Sequence, residues 1–501
     1  MSSDSSSEEL LASDYAREAE DHAADPKVVR RATAASAIGN MTEWYDYGVY
    51  AIAATYIAHH FFDALGEYQI MATMATYAIS FLARPLGGFF WGPMGDKIGR
   101  KGVLAATILL MAGATTLIGL LPTYQTIGIW APILLIVLRL VQGFSTGGEY
   151  GGAATYMAEY APNRRRGFFG SFLEASSLTG YVIGAALMLI IQFTVTPEQM
   201  DSFGWRIPFL IALPMGFIGW YLRSKLEDTP VFNEIQEDPE EDDTSTMDRF
   251  RAVFKEYRRD VIILFALVAT VNMVNYTLLT YMPSYFEAQI GMDSQTSLIV
   301  ILVGELFIVL FMPIFGAASD KFGRRPLWFF TTIAVGVLAI PMFKMMSLGF
   351  GFALVGFAVL GIAYVPMLAT ISATFPAMFP AHVRLLGFSV TYNLSVSALG
   401  GTAGLINEAG VKATGDLLFP AYYMILACVI GLVATWFMPE TAGASIHGRQ
   451  QPGTIGTRVM PQSPADKALA EGRQPDQRDM THDEMVEEAE RVAEEDESSG
   501  G

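Results

Sequence analysis

Glu43 and Asp46 stand three residues apart in an otherwise apolar stretch, with Tyr50 four residues further on. On a helix both carboxylates then share one face, and Tyr50 lies one turn beyond. Two carboxyl groups this close do not both ionise readily in a medium of low dielectric, so one is expected to keep its proton. That is the property a proton carrier needs. Further charges lie inside apolar runs: Arg84, Arg139, Glu149, Glu174 and Glu305. A charge at membrane depth costs about 2.5–3.5 kcal/mol on insertion scales, so each calls for a partner or a role. Arg84 is expected to pair with a carboxylate of the Glu43/Asp46 segment. Arg139 and Glu149 are ten residues apart, about 15 Å along a helix, too far to pair within it. Glu149 is flanked by Gly147, Gly148, Gly151 and Gly152, which permit close helix packing, so its carboxyl is expected to face the bundle interior. Its other reading is a structural bond to Arg164–Arg166. Glu174 is a further proton-handling candidate, whereas Glu305 reads first as a structural hydrogen bond. Arg206 reads as an interfacial anchor, and His59 and His60 as surface histidines.

The elements that must hold these groups are membrane helices. The 501 residues are 52% hydrophobic and 16% charged, with a mean hydropathy of +0.35. A soluble domain carries about 25% charged residues, so the composition argues against a soluble globular enzyme of one to three domains. Apolar stretches long enough to cross about 30 Å of hydrocarbon recur twelve times. They fall near 33–60, 69–94, 102–121, 130–158, 167–193, 205–223, 260–283, 296–318, 327–346, 350–376, 385–408 and 419–438. Runs of this length do not alternate as barrel strands do, and only helices satisfy their own backbone in lipid. The expected fold is an all-α membrane protein of twelve transmembrane helices in two pseudo-symmetric six-helix bundles.

Alternate loops carry the bases: Lys97, Arg100 and Lys101; Arg164–Arg166; Lys255, Arg258 and Arg259; Lys321, Arg324 and Arg325; and Arg384. Lys412 is the exception inside the other set. The positive-inside rule then puts both termini and the central linker in the cytoplasm. The formal net charge is −18, but residues 1–25, 226–248 and 440–501 carry −7, −10 and −8, so the remainder is +7. The expected organisation is an acidic tail 1–27, a six-helix bundle 28–224, an acidic linker 225–258, a second bundle 259–438 and an acidic tail 439–501. The N-terminus has no basic and apolar regions of a signal peptide and reads as a solvated tail. The acidity argues against nucleic acid, and the single cysteine, Cys428, excludes an intramolecular disulfide or a cysteine-built metal site. No phosphate loop, metal-ligand spacing or nucleophile elbow is found, so no enzyme activity, cofactor or metal is expected.

The chain repeats itself. Gly92-Pro-Met-Gly-Asp96-Lys97-Ile-Gly99-Arg100-Lys101 matches Gly316-Ala-Ala-Ser-Asp320-Lys321-Phe-Gly323-Arg324-Arg325 at an offset of 224 residues. Each copy follows the second apolar helix of its half, as expected of two homologous bundles. An aspartate at a membrane surface can face the positive end of a neighbouring helix and pair with arginine. Such a loop can act as a latch that closes the cytoplasmic side in one state.

This loop resembles the signature of the major facilitator superfamily. Gly39-Asn-Met-Thr-Glu43-Trp44-Tyr45-Asp46-Tyr47-Gly48, Arg84-Pro-Leu-Gly-Gly88, Gln142-Gly-Phe-Ser-Thr-Gly-Gly-Glu149-Tyr150 and Gly204-Trp-Arg206-Ile-Pro208 resemble its metabolite:proton symporter family. Leu279-Thr-Tyr281-Met-Pro-Ser-Tyr285, Pro376-Ala-Met-Phe-Pro380 and Pro420-Ala-Tyr-Tyr423 are similar to the bacterial proline/glycine-betaine (osmoprotectant) transporters. The resemblance spans about residues 30–445. It implies proton-driven uptake, across the bacterial plasma membrane, of a zwitterion such as proline, glycine betaine or ectoine, with the proton as coupling ion. It also implies that Arg139 takes part in proton transfer, and that the first and seventh helices line the cavity. No protein partner is implied. Some osmosensing members end in a coiled coil, but here the tail offers only Met485, Ala489 and Val492, too few heptads for one.

An ammonium group is well held by aromatic faces, at about 0.5–2 kcal/mol each. The pool of candidates is Trp44, Tyr45, Tyr47 and Tyr50 in the first helix, and Asn272, Asn275, Tyr276 and Tyr281 in the seventh. Tyr364 in the tenth and Tyr392 and Asn393 in the eleventh complete it. Two rivals are a symporter for an organic anion such as 2-oxoglutarate or shikimate, with Arg84 or Arg139 facing the cavity, and an osmosensor that does not transport.

Overall fold

The computed structural model describes residues 26–98, 100–147, 149–223, 254–379 and 381–444. Twelve long helical segments follow one another, and no strand occurs among the described residues. α1 runs Pro26–Ile52 and, after a break at Ala53, Ala54–Phe62. α2 is Gln69–Ile98 and α3 Arg100–Leu120. α4 comprises Trp130–Thr146 and Glu149–Tyr160. α5 is Arg166–Thr194 and α6 Ile207–Arg223. The second half begins with α7, Arg258–Gln289, then α8 Ser294–Phe322, α9 Arg324–Met346 and α10 Phe350–Leu368. α11 runs Ala381–Ser395 and resumes at Ala403–Thr414, and α12 is Phe419–Phe437.

Seven of these, α4, α5, α7, α8, α9, α10 and α12, are long and apolar enough to cross a membrane by composition alone. The others include α1, α2 and α11, which carry Glu43, Asp46, Arg84 and Glu408 and are diluted by the polar groups they bury. The distribution of polarity is that of a protein in lipid. Leu117, Ile190, Phe217, Leu310, Val337 and Trp436 are exposed, whereas Glu43, Asp46, Arg84, Arg139, Glu174 and Glu305 are buried. A water-soluble surface does not present so much apolar area.

Local signals set several ends. Asp293 caps α8 by accepting the amide of Thr296 at 3.0 Å. Gly323, at φ +93°, ends α8 and lets α9 start at once with Arg324. α7 widens into π-helical turns at Tyr276–Tyr281 and Tyr285–Gln289, and α11 does so at Val396–Gly400. Wide turns of this kind are common at functional sites.

Candidate functional site

Two close helix crossings build the site. A Cβ on Gly143 would overlap the carbonyl oxygen of Ser80, so α4 lies directly against α2. A Cβ on Gly180 would press on the α1 backbone at Met41 and Tyr45, which seats α5 against α1. The first crossing brings Arg84 and Arg139 to the ring of one tyrosine. The guanidinium of Arg84 lies 4.9 Å from the Tyr47 ring centroid and that of Arg139 5.4 Å from it.

Arg84 pairs with Glu43 of α1, Nη2 to Oε1 at 3.7 Å, both side chains buried. It also lies over Phe81 at 4.5 Å. Asp46 is buried in the same turn of α1. Arg139 donates to Gln142 Oε1 at 2.8 Å and to Ser80 Oγ at 3.2 Å, and sits 4.1 Å from the Tyr50 centroid. Gln142 in turn donates to Thr115 Oγ1 at 2.6 Å. Each arginine is thus held by one polar set and one aromatic set.

Beside them lies a closed aromatic chamber, its rings from both halves packed directly against one another. Trp44 of α1 has Tyr47 at 5.9 Å, Tyr181 of α5 at 6.0 Å and Tyr276 of α7 at 6.4 Å, centroid to centroid. Tyr77 and Phe81 of α2 complete it, at 6.3 and 5.2 Å from Tyr276. The indole N–H of Trp44 and the hydroxyl of Tyr276 are buried without hydrogen-bond partners among the described residues. Two polar hydrogens left unmatched in an aromatic space are suited to a ligand with acceptor oxygens.

A second cluster surrounds Glu174. Tyr150 donates to Glu174 Oε1, Ser372 of the segment after α10 does so at 3.3 Å, and the Tyr150 ring stacks on Tyr392 of α11 at 4.5 Å. Tyr364 donates to Asn275 Oδ1 at 3.3 Å, and Asn393 donates to the Gly147 carbonyl at 2.9 Å. Tyr364, Tyr392, Asn275 and Asn393 are therefore engaged with protein groups, and only Trp44, Tyr47 and Tyr276 of the expected pool meet in the chamber. Tyr50 supports Arg139 and donates to the Thr73 carbonyl at 3.2 Å. Tyr45 donates to the Pro208 carbonyl at 2.7 Å. Tyr281 donates to Glu408 of α11 at 2.8 Å, a carboxylate that Gln289 also contacts at 3.0 and 3.1 Å.

Some expectations need correction. Glu305 makes no hydrogen bond among the described residues: no donor reaches either carboxyl oxygen. His60 is not a free surface histidine: it stacks on Trp205 at 5.1 Å and lies 3.2 Å from Asp201. Arg206 donates to the carbonyls of Gly119 and Leu121 at 2.7 and 2.6 Å, closing the end of α3. Tyr77, Phe81 and Tyr181 are not among the expected residues, although Tyr77, Phe81 and Arg84 follow at helical spacing on one face and Tyr181 lies two turns from Glu174.

The second signature copy joins the halves at one end. Asp320 accepts the amides of Gly167 and Phe168, at the start of α5, at 2.7 and 2.8 Å, and pairs with Arg324 at 3.3 Å. Arg324 donates to the Thr441 carbonyl, and Glu440 accepts the amides of Arg324 and Arg325 at 3.0 and 3.1 Å. Lys321 lies beside the Phe322 ring. Of the first copy, Gly99 lies outside the described residues, as do the surroundings of Gly92, Asp96, Lys97, Arg100 and Lys101; the Glu149 side chain does too. At the other end, Gln192 donates to Ser294 at 3.0 Å and Lys412 pairs with Glu67 at 3.3 Å.

Residues 36–405 match the Major Facilitator Superfamily. The chain belongs to that superfamily. It is 42% identical over 429 residues to the putative proline/betaine transporter of Staphylococcus aureus (strain COL), covering 85% of this chain and 91% of that one. It is 39% identical over 431 residues to the proline/betaine transporter of Escherichia coli (strain K12), covering 85% and 86%. Its fold resembles that of the proton:xylose symporter XylE bound to 6-bromo-6-deoxy-D-glucose, with a TM-score of 0.68 at 16% identity over 84% of this chain and 98% of that one. The twelve-helix facilitator fold makes this chain a multi-pass membrane protein.

Proposed function

We propose that this facilitator is a proton-coupled symporter importing a small zwitterionic osmoprotectant of the proline, glycine betaine or ectoine class by alternating access. The observation that carries the reading is the chamber of Trp44, Tyr47, Tyr77, Tyr181 and Tyr276, with unmatched N–H and O–H donors on opposite halves. The aromatic faces suit the ammonium, and the two donors suit the carboxylate. The curated relatives' names point to the same solutes.

Glu43 neutralises Arg84, whereas Arg139 is held by the neutral Gln142 and Ser80, so the preference for a zwitterion over a dicarboxylate or shikimate rests on the aromatic cluster and the curated relatives. In this proposal Glu43, Asp46, Arg84, Arg139, Glu149 and Glu174 handle the proton. Both signature loops act as gates: the Asp320 contacts to α5 break as the cytoplasmic side opens, and the Gln192 and Lys412 contacts break as the other side opens. The basic loops support an orientation with both termini on the cytoplasmic face of a bacterial plasma membrane. The proton is the coupling ion, and neither cofactor nor protein partner enters the cycle.

The test is uptake by purified protein in proteoliposomes. Labelled proline and glycine betaine are expected to accumulate when the exterior is made acidic and not without a gradient. A panel of competing solutes that left betaine uptake intact but was itself transported would refute the solute class.

A further inference from the structure

Glu305 lies in the middle of α8, fifteen residues before Asp320, about 22 Å from it along the helix. Its side chain is fully buried, and neither carboxyl oxygen has a hydrogen-bond donor among the described residues. The adjoining face of α8 packs on α10 through apolar groups: Gly304 lies against the Phe357 ring and Ile308 against Gly361. Several polar groups of the neighbouring helices have partners of their own. On α5, Glu174 is held by Tyr150 and Ser372, and Arg166 by the carbonyls of Ala158 and Ala444. On α10, Tyr364 is held by Asn275, and on α7, Tyr281 by Glu408.

An ionised carboxylate with neither donor nor cation in an apolar setting costs several kcal/mol even after relaxation. The group is therefore a neutral acid in this conformation. As a structural feature it does nothing that an apolar side chain would not do better.

Gly316, about three turns after Glu305 on the same face of α8, lies against Gly167 and Ser171 of α5, so Glu305 is on the side of α8 that faces α5, the helix that carries Tyr181. The Tyr181 hydroxyl is 3.3 Å from Thr280 Oγ1 of α7 and 3.4 Å from the Tyr77 hydroxyl. Tyr77 borders the aromatic chamber at 6.3 Å from Tyr276. α5 and α8 belong to opposite halves and form one of the most extensive helix contacts in the molecule. Any rocking of the halves changes that contact, and with it the solvation of Glu305.

We propose that Glu305 is a proton-binding residue of the transport cycle in the second half, loaded and emptied as the α5–α8 contact closes and opens. This rests on the symport reading. On loading, a hydronium ion from the water-accessible side gives up a proton, its O–H bond breaks to leave water, and the proton forms an O–H bond with one carboxylate oxygen. On release the same bond breaks, the proton passes to water on the opposite side, and no electron changes hands. The closed contact seen here corresponds to the loaded state, and the Tyr181–Tyr77–Thr280 hydroxyls link that state to occupancy of the chamber.

The experiment compares wild type and Glu305→Gln in proteoliposomes containing a pH-sensitive dye, with labelled proline and glycine betaine as probes. Glutamine keeps the shape and neutrality of the acid but cannot release a proton. Gradient-driven accumulation and solute-evoked proton entry are expected to fall to background. Solute–solute exchange, which moves no net proton, is expected to stay within about two-fold of wild type. A variant that accumulates solute with proton entry as wild type does overturns the proposal. So does a variant whose exchange falls in step with accumulation at an unchanged melting temperature, which marks a role in binding alone. Should Glu305→Gln fail to reach the membrane, Glu305→Asp carries the test. Its displaced carboxyl is expected to shift the external pH of half-maximal accumulation while exchange persists, and an unshifted profile overturns the proposal. Wild-type protein that accumulates solute without proton entry refutes the symport reading itself, whereas an unaffected Glu305→Gln in a coupled preparation refutes only the role of Glu305.

Discussion

Trp44 and Tyr276 face each other from opposite halves at 6.4 Å between ring centroids, each with a buried polar hydrogen that no group among the described residues accepts. The cluster takes rings from both halves, so it is complete only while the two bundles are apposed. Trp44→Ala and Tyr276→Ala are each expected to raise the KM for glycine betaine by about 2- to 30-fold, the range that 0.5–2 kcal/mol of cation–π contact corresponds to. Tyr276→Phe separates the ring from its hydroxyl. It is expected to retain most of the affinity for a quaternary ammonium and to lose more for the part set by the carboxylate, read by competition with choline-like cations that lack one. Equal losses for both solute types would assign the hydroxyl no such part.

The Arg84–Glu43 pair is buried on both sides. Breaking a buried pair by removing one partner costs about 3–5 kcal/mol, whereas removing both together costs much less. Arg84→Ala is therefore expected to lower the melting temperature in detergent sharply, and Arg84→Ala with Glu43→Gln to recover most of it. The double-mutant cycle over the four proteins measures the coupling, and additive losses would show that the pair is not coupled.

The helices are legible in the sequence because an apolar run of about twenty residues matches the thickness of the hydrocarbon layer and exceeds what a buried core helix needs. The Arg84 partner is legible because only the first helix offers nearby carboxylates. Tyr77, Phe81 and Tyr181 are not, since an aromatic in an apolar helix carries no mark that separates chamber wall from packing. Glu408 falls on the edge of its expected span, 385–408, whereas α11 continues to Thr414 through a π-helical turn and buries it. Glu305 reverses its expectation for a physical reason. A hydrogen bond needs a facing donor, and whether one faces it depends on helix rotation, which periodicity leaves open in a segment buried on several sides.

Asp293 offers a pH test outside the membrane helices. The Thr296 side chain and amide hold its carboxyl below the ordinary carboxylate range. A depressed value means that the cap stabilises above the ordinary range and that this contribution is lost only as the pH falls through the lower folded value. Stability from this cap is thus expected to be flat from about pH 5 to 7, and Asp293→Ala to cost about 1 kcal/mol throughout that window. Melting temperatures of wild type and variant across that range check it; a gap that closes at the acidic end of the window would contradict the assignment.

Asp320 joins the halves through two backbone amides at the start of α5 and one arginine. The amides lie at the positive end of a 29-residue helix, where a carboxylate contributes more than a neutral acceptor. Asp320→Asn keeps the shape and one acceptor oxygen but removes the charge, so the latch loses about 0.3–1 kcal/mol from the helix end alone, and more where Arg324 is left without its ion pair. The closed state is then less favoured, and the cytoplasmic side opens more often. In a Cys428→Ser background, a cysteine placed on the α5 face beneath Asp320 is expected to label faster with a hydrophilic maleimide added from the cytoplasmic side. Transport cycling is expected to slow, with protein remaining in the membrane, because the return to the state open on the other side now starts from a more populated inward-open form. Unchanged labelling with unchanged uptake would show that the contact is only a structural anchor for the loop.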